Sequence, residues 1–138
     1  MEAQQAAEEL NRKLAKAGLR STRQREMVYE AILQKRDHPT ADEVFARVKQ
    51  EMPSISLATV YNCLDTLLQC DLVKQVNLER ESTRYCPNLS EHAHFHDNDT
   101  GKIYDVQLDA ETLKSLEELL PDNFDTTSID ITFRGRAN

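Results

Sequence analysis

A chain of 138 residues with 39% hydrophobic and 30% charged residues, but only three glycines and four prolines, has the material for one large folded domain or two small ones. That balance excludes a disordered tail, and no apolar run approaches the roughly 20 residues that cross a bilayer, so no membrane partner is expected. The net charge of −7 is unevenly placed: residues 1–74 carry 11 Lys and Arg against 11 Asp and Glu, and residues 75–138 carry 6 against 13. Phosphate binding needs basic surface, so only the neutral first half is compatible with a DNA face. The acidic, helix-forming N-terminus does not read as a signal peptide. Three cysteines without a Cys-x-x-Cys make no disulfide framework, and a cytoplasmic location is expected.

The first half reads as four helices and a hairpin. Residues 2–17 form a helix rich in Ala, Glu, Leu and Lys, ending near Gly18. Ser21 or Thr22 caps a second helix whose apolar stripe contains Val28, Ala31 and Ile32. Thr40-Ala-Asp-Glu43 is a capping box, opening a third helix with Val44, Phe45, Val48 and Met52 on its core face and Pro53 at its end. Ser56 caps a fourth helix over residues 57–70, where Val60, Leu64, Leu67 and Leu68 face inward. Its opposite face carries Thr59, Asn62 and Thr66, with Ala58 and Tyr61 at the edges, as a helix that reads base edges requires. Short strands over 72–78 and 82–86, joined through Glu79-Arg80-Glu81, complete a winged-helix pattern.

The second half is expected to be a small α/β unit. A strand over 102–106 leaves a turn at Thr100-Gly101. A helix capped by Asp109 carries Leu113, Leu116, Leu119 and Leu120 on one face and ends at Pro121, and residues 127–134 alternate as a last strand. A unit this small has trouble burying enough surface alone, so a homodimer is expected. The domain division is placed at 1–84 and 85–138, and the fold class is α+β.

His92-Ala-His94-Phe-His96-Asp97 is the stretch richest in chemistry. Strand alternation throws His92, His94 and His96 to one face, beside the carboxylates Asp97, Asp99 and Asp105. Imidazoles and carboxylates together suit a borderline divalent cation, although a polar surface strand has the same composition.

Three segments, Gly18-Leu-Arg-Ser-Thr-Arg-Gln-Arg25, His38-Pro-Thr-Ala-Asp-Glu-Val-Phe45 and Ser54-Ile-Ser-Leu-Ala-Thr-Val-Tyr-Asn62, followed by His92-x-His94 and Gly101-Lys-Ile-Tyr-Asp105, resemble the ferric uptake regulator family of bacterial metalloregulators. The closest look is to its peroxide-sensing and iron-response branches. The resemblance implies a winged-helix DNA-binding domain, a dimerisation and metal-sensing domain, and a repressor of iron-homeostasis or peroxide-stress genes rather than an enzyme. Its partner would be a double-stranded DNA operator. It implies metal ligands at His38, Cys86, His92, His94 and Asp105, with His96 solvated or beside the site. It also implies DNA contacts at Arg20, Arg23, Ser56, Thr59, Tyr61 and Asn62.

Two departures follow from the same comparison. Cys86 stands where the peroxide branch has Asp, and a thiolate is softer and itself oxidisable. Asp97 and Thr100 stand where many members have the first of two Cys-x-x-Cys pairs, so the structural four-cysteine zinc is expected to be absent. The implied cofactor is Fe2+ or Mn2+ ahead of Zn2+, with haem at Cys86-Pro87 as a further candidate. A haem-responsive or metal-independent regulator, and behind it a small metallohydrolase, are the alternatives. Cys63 and Cys70 read as packing residues of the fourth helix.

Overall fold

The structure, a computed structural model, describes residues 2–77, 82–88 and 90–138, and the chain splits into two compact units, residues 1–89 and 90–138. The first unit contains α1 (Glu2–Lys16), α2 (Arg23–Gln34), α3 (Ala41–Glu51), α4 (Leu57–Gln69), β1 (Lys74–Val76) and β2 (Arg84–Cys86). The second contains β3 (His92–Asp97), β4 (Ile103–Gln107), α5 (Ala110–Glu117) and β5 (Thr132–Gly135). The fold is α+β, a winged helix followed by a small α/β unit.

Local chemistry sets the helix ends of the first unit. α1 stops at Gly18, whose φ of +73° lets the Leu19 amide reach back to the Leu14 carbonyl at 2.9 Å. Of the two candidate caps for α2 the backbone uses Thr22, whose hydroxyl accepts from the Arg25 amide at 3.2 Å, and Ser21 donates to Glu26 instead. Thr40 and Glu43 form the expected capping box, each side chain accepting from the other's amide. α4 begins at Ser56 and ends where Asp71 turns to φ +56°, with the Leu72 amide on the Leu67 carbonyl at 2.9 Å. Lys13 donates to the Asp71 carbonyl at 2.6 Å, tying α1 to the end of α4.

Val28, Ile32, Val44, Val48, Val60, Leu64 and Leu67 from α2, α3 and α4 are buried in one core with Leu10 and Leu14 of α1. Each contributes about 1.5–3 kcal/mol by leaving water. Phe45, Met52 and Leu68 pack against that core while partly exposed. The wing strands are shorter than the sequence pattern, three residues each, in the antiparallel register Lys74↔Cys86, Gln75↔Tyr85 and Val76↔Arg84. Their expected connection, Glu79-Arg80-Glu81, and residue 78 at the end of the first expected strand lie outside the described residues. An antiparallel bridge Thr40↔Arg84 and a bond from the Tyr85 amide to the Pro39 carbonyl at 2.9 Å add the His38-Pro-Thr40 segment to the edge of β2. Because β2 runs through Cys86, strand pairing carries the first unit past residue 84.

The second unit is a three-stranded sheet of order β4-β3-β5, antiparallel between β3 and β4 and parallel between β3 and β5. The β3–β4 turn is organised by Asp97, whose carboxylate accepts from the Asp99 amide at 2.8 Å and the Thr100 amide at 3.3 Å. Gly101, at φ +76°, completes the reversal. The last strand is Thr132–Gly135 where 127–134 is expected: in the register His94↔Thr132, residues 127–129 fall before His92, the first residue of β3. The helix is shorter too. α5 ends at Glu117, and Leu119 and Leu120 lie in tighter turns, with the Leu119 amide on Leu116, before Pro121. Leu113 and Leu116 are half-buried, while Leu119 and Leu120 are exposed.

Candidate metal centre and nucleic-acid face

The second unit gathers three of the expected ligands by register alone. β3 pairs with β4 so that His94 lies opposite Asp105 and His92 opposite Gln107. With His92 and His94 on one face of β3, the His92 and His94 Nε2 atoms lie 3.0 Å apart, and each is 3.4 Å from Asp105 Oδ1. The His92 ring is oriented from behind: its Nδ1 lies 2.6 Å from the Ser90 carbonyl, which can only accept, so Nδ1 donates there and Nε2 faces the cluster. Ligating imidazoles are held in this way, the second ring nitrogen bonded to a carbonyl or carboxylate.

The spacing fits a cation. Imidazole nitrogen and carboxylate oxygen bind a metal such as zinc at about 2.0–2.2 Å, which sets neighbouring donors about 2.9–3.4 Å apart for angles from square to tetrahedral. All three separations fall in that window.

The first unit brings together the other two expected ligands. His38 and Cys86 are both buried, and a ring nitrogen of His38 and the Cys86 sulfur lie within 4.8 Å of one another. They are 48 positions apart in sequence and meet because the His38-Pro-Thr40 segment is stitched to β2. His38 itself stands at φ +56°, a left-handed conformation uncommon for a non-glycine residue. The Arg84 guanidinium donates to its carbonyl at 3.0 Å.

Of the two expectations for His96, solvated or beside the site, the first does not hold. His96 is buried, with its Nδ1 3.3 Å from Arg134 Nη1, because β5 lies parallel to β3 with Arg134 opposite His96. Asp97, at a position where the resemblance placed a zinc-binding cysteine, is the acceptor of the β3–β4 turn. The bond from the Asp99 amide, joined by those from Thr100, holds its carboxyl below the ordinary aspartate range. Cys63 and Cys70 are buried in the first core, and burial pushes the Cys63 thiol up, which makes it a poor nucleophile.

The outward face of α4 presents Leu57, Ala58, Tyr61, Asn62 and Asp65, with Tyr61 45% exposed. Thr59 is half-buried, and its amide is capped by the exposed Ser56 hydroxyl at 3.1 Å. Thr66 turns its hydroxyl back onto the Asn62 carbonyl at 3.1 Å and so withdraws from that face. Arg20 and Arg23 are exposed at the start of α2. Arg84 and Ser90 were not singled out in the sequence: an arginine in a strand and a carbonyl in a loop carry no motif.

A winged helix joined to a small sheet unit bearing a His-His-Asp cluster defines a class of two-unit protein with a candidate divalent-metal centre. The model of the ferric uptake regulator family matches residues 16–134. The chain belongs to that family. It is 35% identical over 94 residues to the peroxide-responsive repressor PerR of Staphylococcus aureus, a match covering 68% of this chain and 64% of that relative. It thus spans less than two thirds of the length of such curated relatives. Among solved structures it is similar to the Campylobacter jejuni peroxide stress regulator, at 32% identity and a TM-score of 0.69 over 83% of this chain and 86% of that one. It is also similar to the Pseudomonas aeruginosa ferric uptake regulator with manganese, at 25% identity and a TM-score of 0.73 over 92% and 96%. The Helicobacter pylori ferric uptake regulator, at 22% identity, shares the fold with a TM-score of 0.78 over 98% and 91%.

Proposed function

We propose that the chain is a metal-dependent DNA-binding transcriptional regulator, a repressor of iron-homeostasis or peroxide-stress genes. The observation that carries this reading is the convergence of His92, His94 and Asp105 at metal-ligand spacing in the second unit. Family membership, with a peroxide-responsive repressor and a peroxide stress regulator among the relatives, supports the rest.

In this reading the first unit binds DNA and the second dimerises and senses metal. His38 and Cys86 of the first unit and His92, His94 and Asp105 of the second serve one site. A divalent cation supplies a compact positive charge that all five donors can share, Fe2+ or Mn2+ ahead of Zn2+. Because donors come from both units, loading the site favours one relative orientation of the two over the others, a population shift that raises operator affinity. Chelation or oxidation of a ligand removes the bias. The burial of Cys86 favours a small ion over haem, which must lay an open face against its axial ligand.

Tyr61 and Asn62 are the base-reading residues of α4, with Ser56 and Thr59 at its N-terminus and Arg20 and Arg23 on phosphates. A homodimer supplies two such helices, matched to half-sites about 34–36 Å apart. The exposed Leu119, Phe124 and Phe133 of the second unit are apolar surface for that pairing.

The test is to select duplexes from a random pool with metal-loaded protein, then to titrate the selected duplex with and without chelator. Enrichment of a palindromic site and loss of binding on chelation support the reading. Failure to enrich any sequence contradicts it.

A further inference from the structure

His38 is held by a side chain that no ligand motif includes. Arg84 lies on β2, and its Nη1 donates to the His38 carbonyl at 3.0 Å while standing 3.6 Å from Glu43 Oε1. Its side chain is only 20% exposed, so its bond to the His38 carbonyl is partly shielded from water, while the Glu43 carboxylate it approaches is 48% exposed and also accepts from Thr40. The backbone joins the same residues: Thr40 bridges to Arg84, and the Tyr85 amide bonds Pro39. Arg84 and Cys86, two residues apart on one strand, project to the same face.

We infer that Arg84 is a positioning residue for the metal centre, holding the His38 backbone in its left-handed conformation so that the imidazole is presented beside Cys86. The inference rests on the reading of His38 and Cys86 as ligands. On the N-terminal side of His38, Arg47 donates to Asp37 at 2.6 Å and anchors the connector to α3. Arg84 is the brace on the other side, reaching from the wing to the His38 carbonyl and to Glu43 at the start of α3. Removing it frees the connector to relax out of the left-handed region, and ligand binding must then re-impose that conformation.

The test is a Co2+ titration of the full chain, followed by ligand-field and sulfur-to-cobalt absorption, with thermal unfolding of the metal-free protein in parallel. Arg84→Ala is expected to weaken Co2+ about 10–100-fold, the range for residues that orient a ligand, with the spectrum at saturation unchanged. Arg84→Lys, which keeps a cationic donor, is expected to recover part of the affinity. If His38→Ala weakens Co2+ and Arg84→Ala does not, the inference is overturned, whatever happens to thermal stability. If His38→Ala itself leaves Co2+ affinity unchanged, the ligand reading of His38 fails instead. Arg84→Gln is read in the same way should the alanine variant not fold.

Discussion

The Nε2 atoms of His92 and His94 lie 3.0 Å apart, with Asp105 Oδ1 3.4 Å from each. Two imidazole nitrogens at that distance need something positive between them: a shared proton, or a cation that exploits all three donors. The Ser90 carbonyl fixes which His92 nitrogen faces inward, and either role uses that nitrogen.

Removing either ring is therefore expected to cost metal and little else. His92→Ala and His94→Ala should each lower Co2+ or Mn2+ affinity by at least about tenfold, since loss of even an orienting residue costs about that much. Far-ultraviolet circular dichroism should stay unchanged. Calorimetric titration against the parent protein measures this, and parent-like affinity in both variants removes the site.

Cys86 sets the softness of the proposed donor set. Thiolate favours zinc and iron, and carboxylate suits manganese. Cys86→Asp is expected to raise Mn2+ affinity relative to Zn2+ and to abolish sulfur-to-cobalt charge transfer in the Co2+ form. A charge-transfer band that survives the substitution would place the sulfur donor elsewhere.

The α4 face should separate DNA affinity from stability. Tyr61 and Asn62 are exposed, so alanine at either position leaves the core intact. Loss of a base contact is worth about 1–3 kcal/mol, roughly a 5–150-fold loss of affinity for a selected duplex. Anisotropy titrations and denaturant melts of the same samples test both halves of that statement.

Thr40 carries a local prediction. Its hydroxyl and Glu43 cap α3 reciprocally, so Thr40→Ala should destabilise the first unit by about 1 kcal/mol. A urea melt shows this as a lower midpoint with unchanged slope.

Acid should weaken the second unit in a defined direction. Asp97 and Asp109 are both held below the ordinary aspartate range, Asp97 first by the Asp99 amide and Asp109 first by its bond with Thr112. A carboxyl depressed in the folded state adds stability above its unfolded pKa of about 3.9 and loses it as pH falls through the folded value. Thermal midpoints should thus fall below about pH 4. Asp97→Asn should flatten that slope, and an unchanged slope would point to other carboxylates.

Much of this was legible in the sequence where one residue's chemistry decides the outcome. The Thr40–Glu43 capping box, the Ser56 cap and the alternation that puts His92 and His94 on one face are all short-range statements. Pairing with Asp105 was not legible from the residues alone, because it depends on the β3–β4 register that Asp97 and Gly101 set. The meeting of His38 with Cys86 needed the wing to pair with the connector, a contact across 48 positions, and only family resemblance anticipated it. Arg84 escaped both routes, since nothing in an Arg-Tyr-Cys strand announces that its guanidinium reaches a histidine carbonyl. The last strand and helix were read too long because periodicity runs on where a pairing partner or the αR region before Pro121 does not.

The most direct test of metal control is the affinity of the full chain for a selected duplex, measured by anisotropy with Mn2+ and again after chelation at the same ionic strength. Coupling between ligand sites is worth about 5–150-fold in affinity. A gain within that range on metal addition, lost in His94→Ala, is the expected result. Equal affinity with and without metal, in protein that binds the duplex tightly, would contradict it.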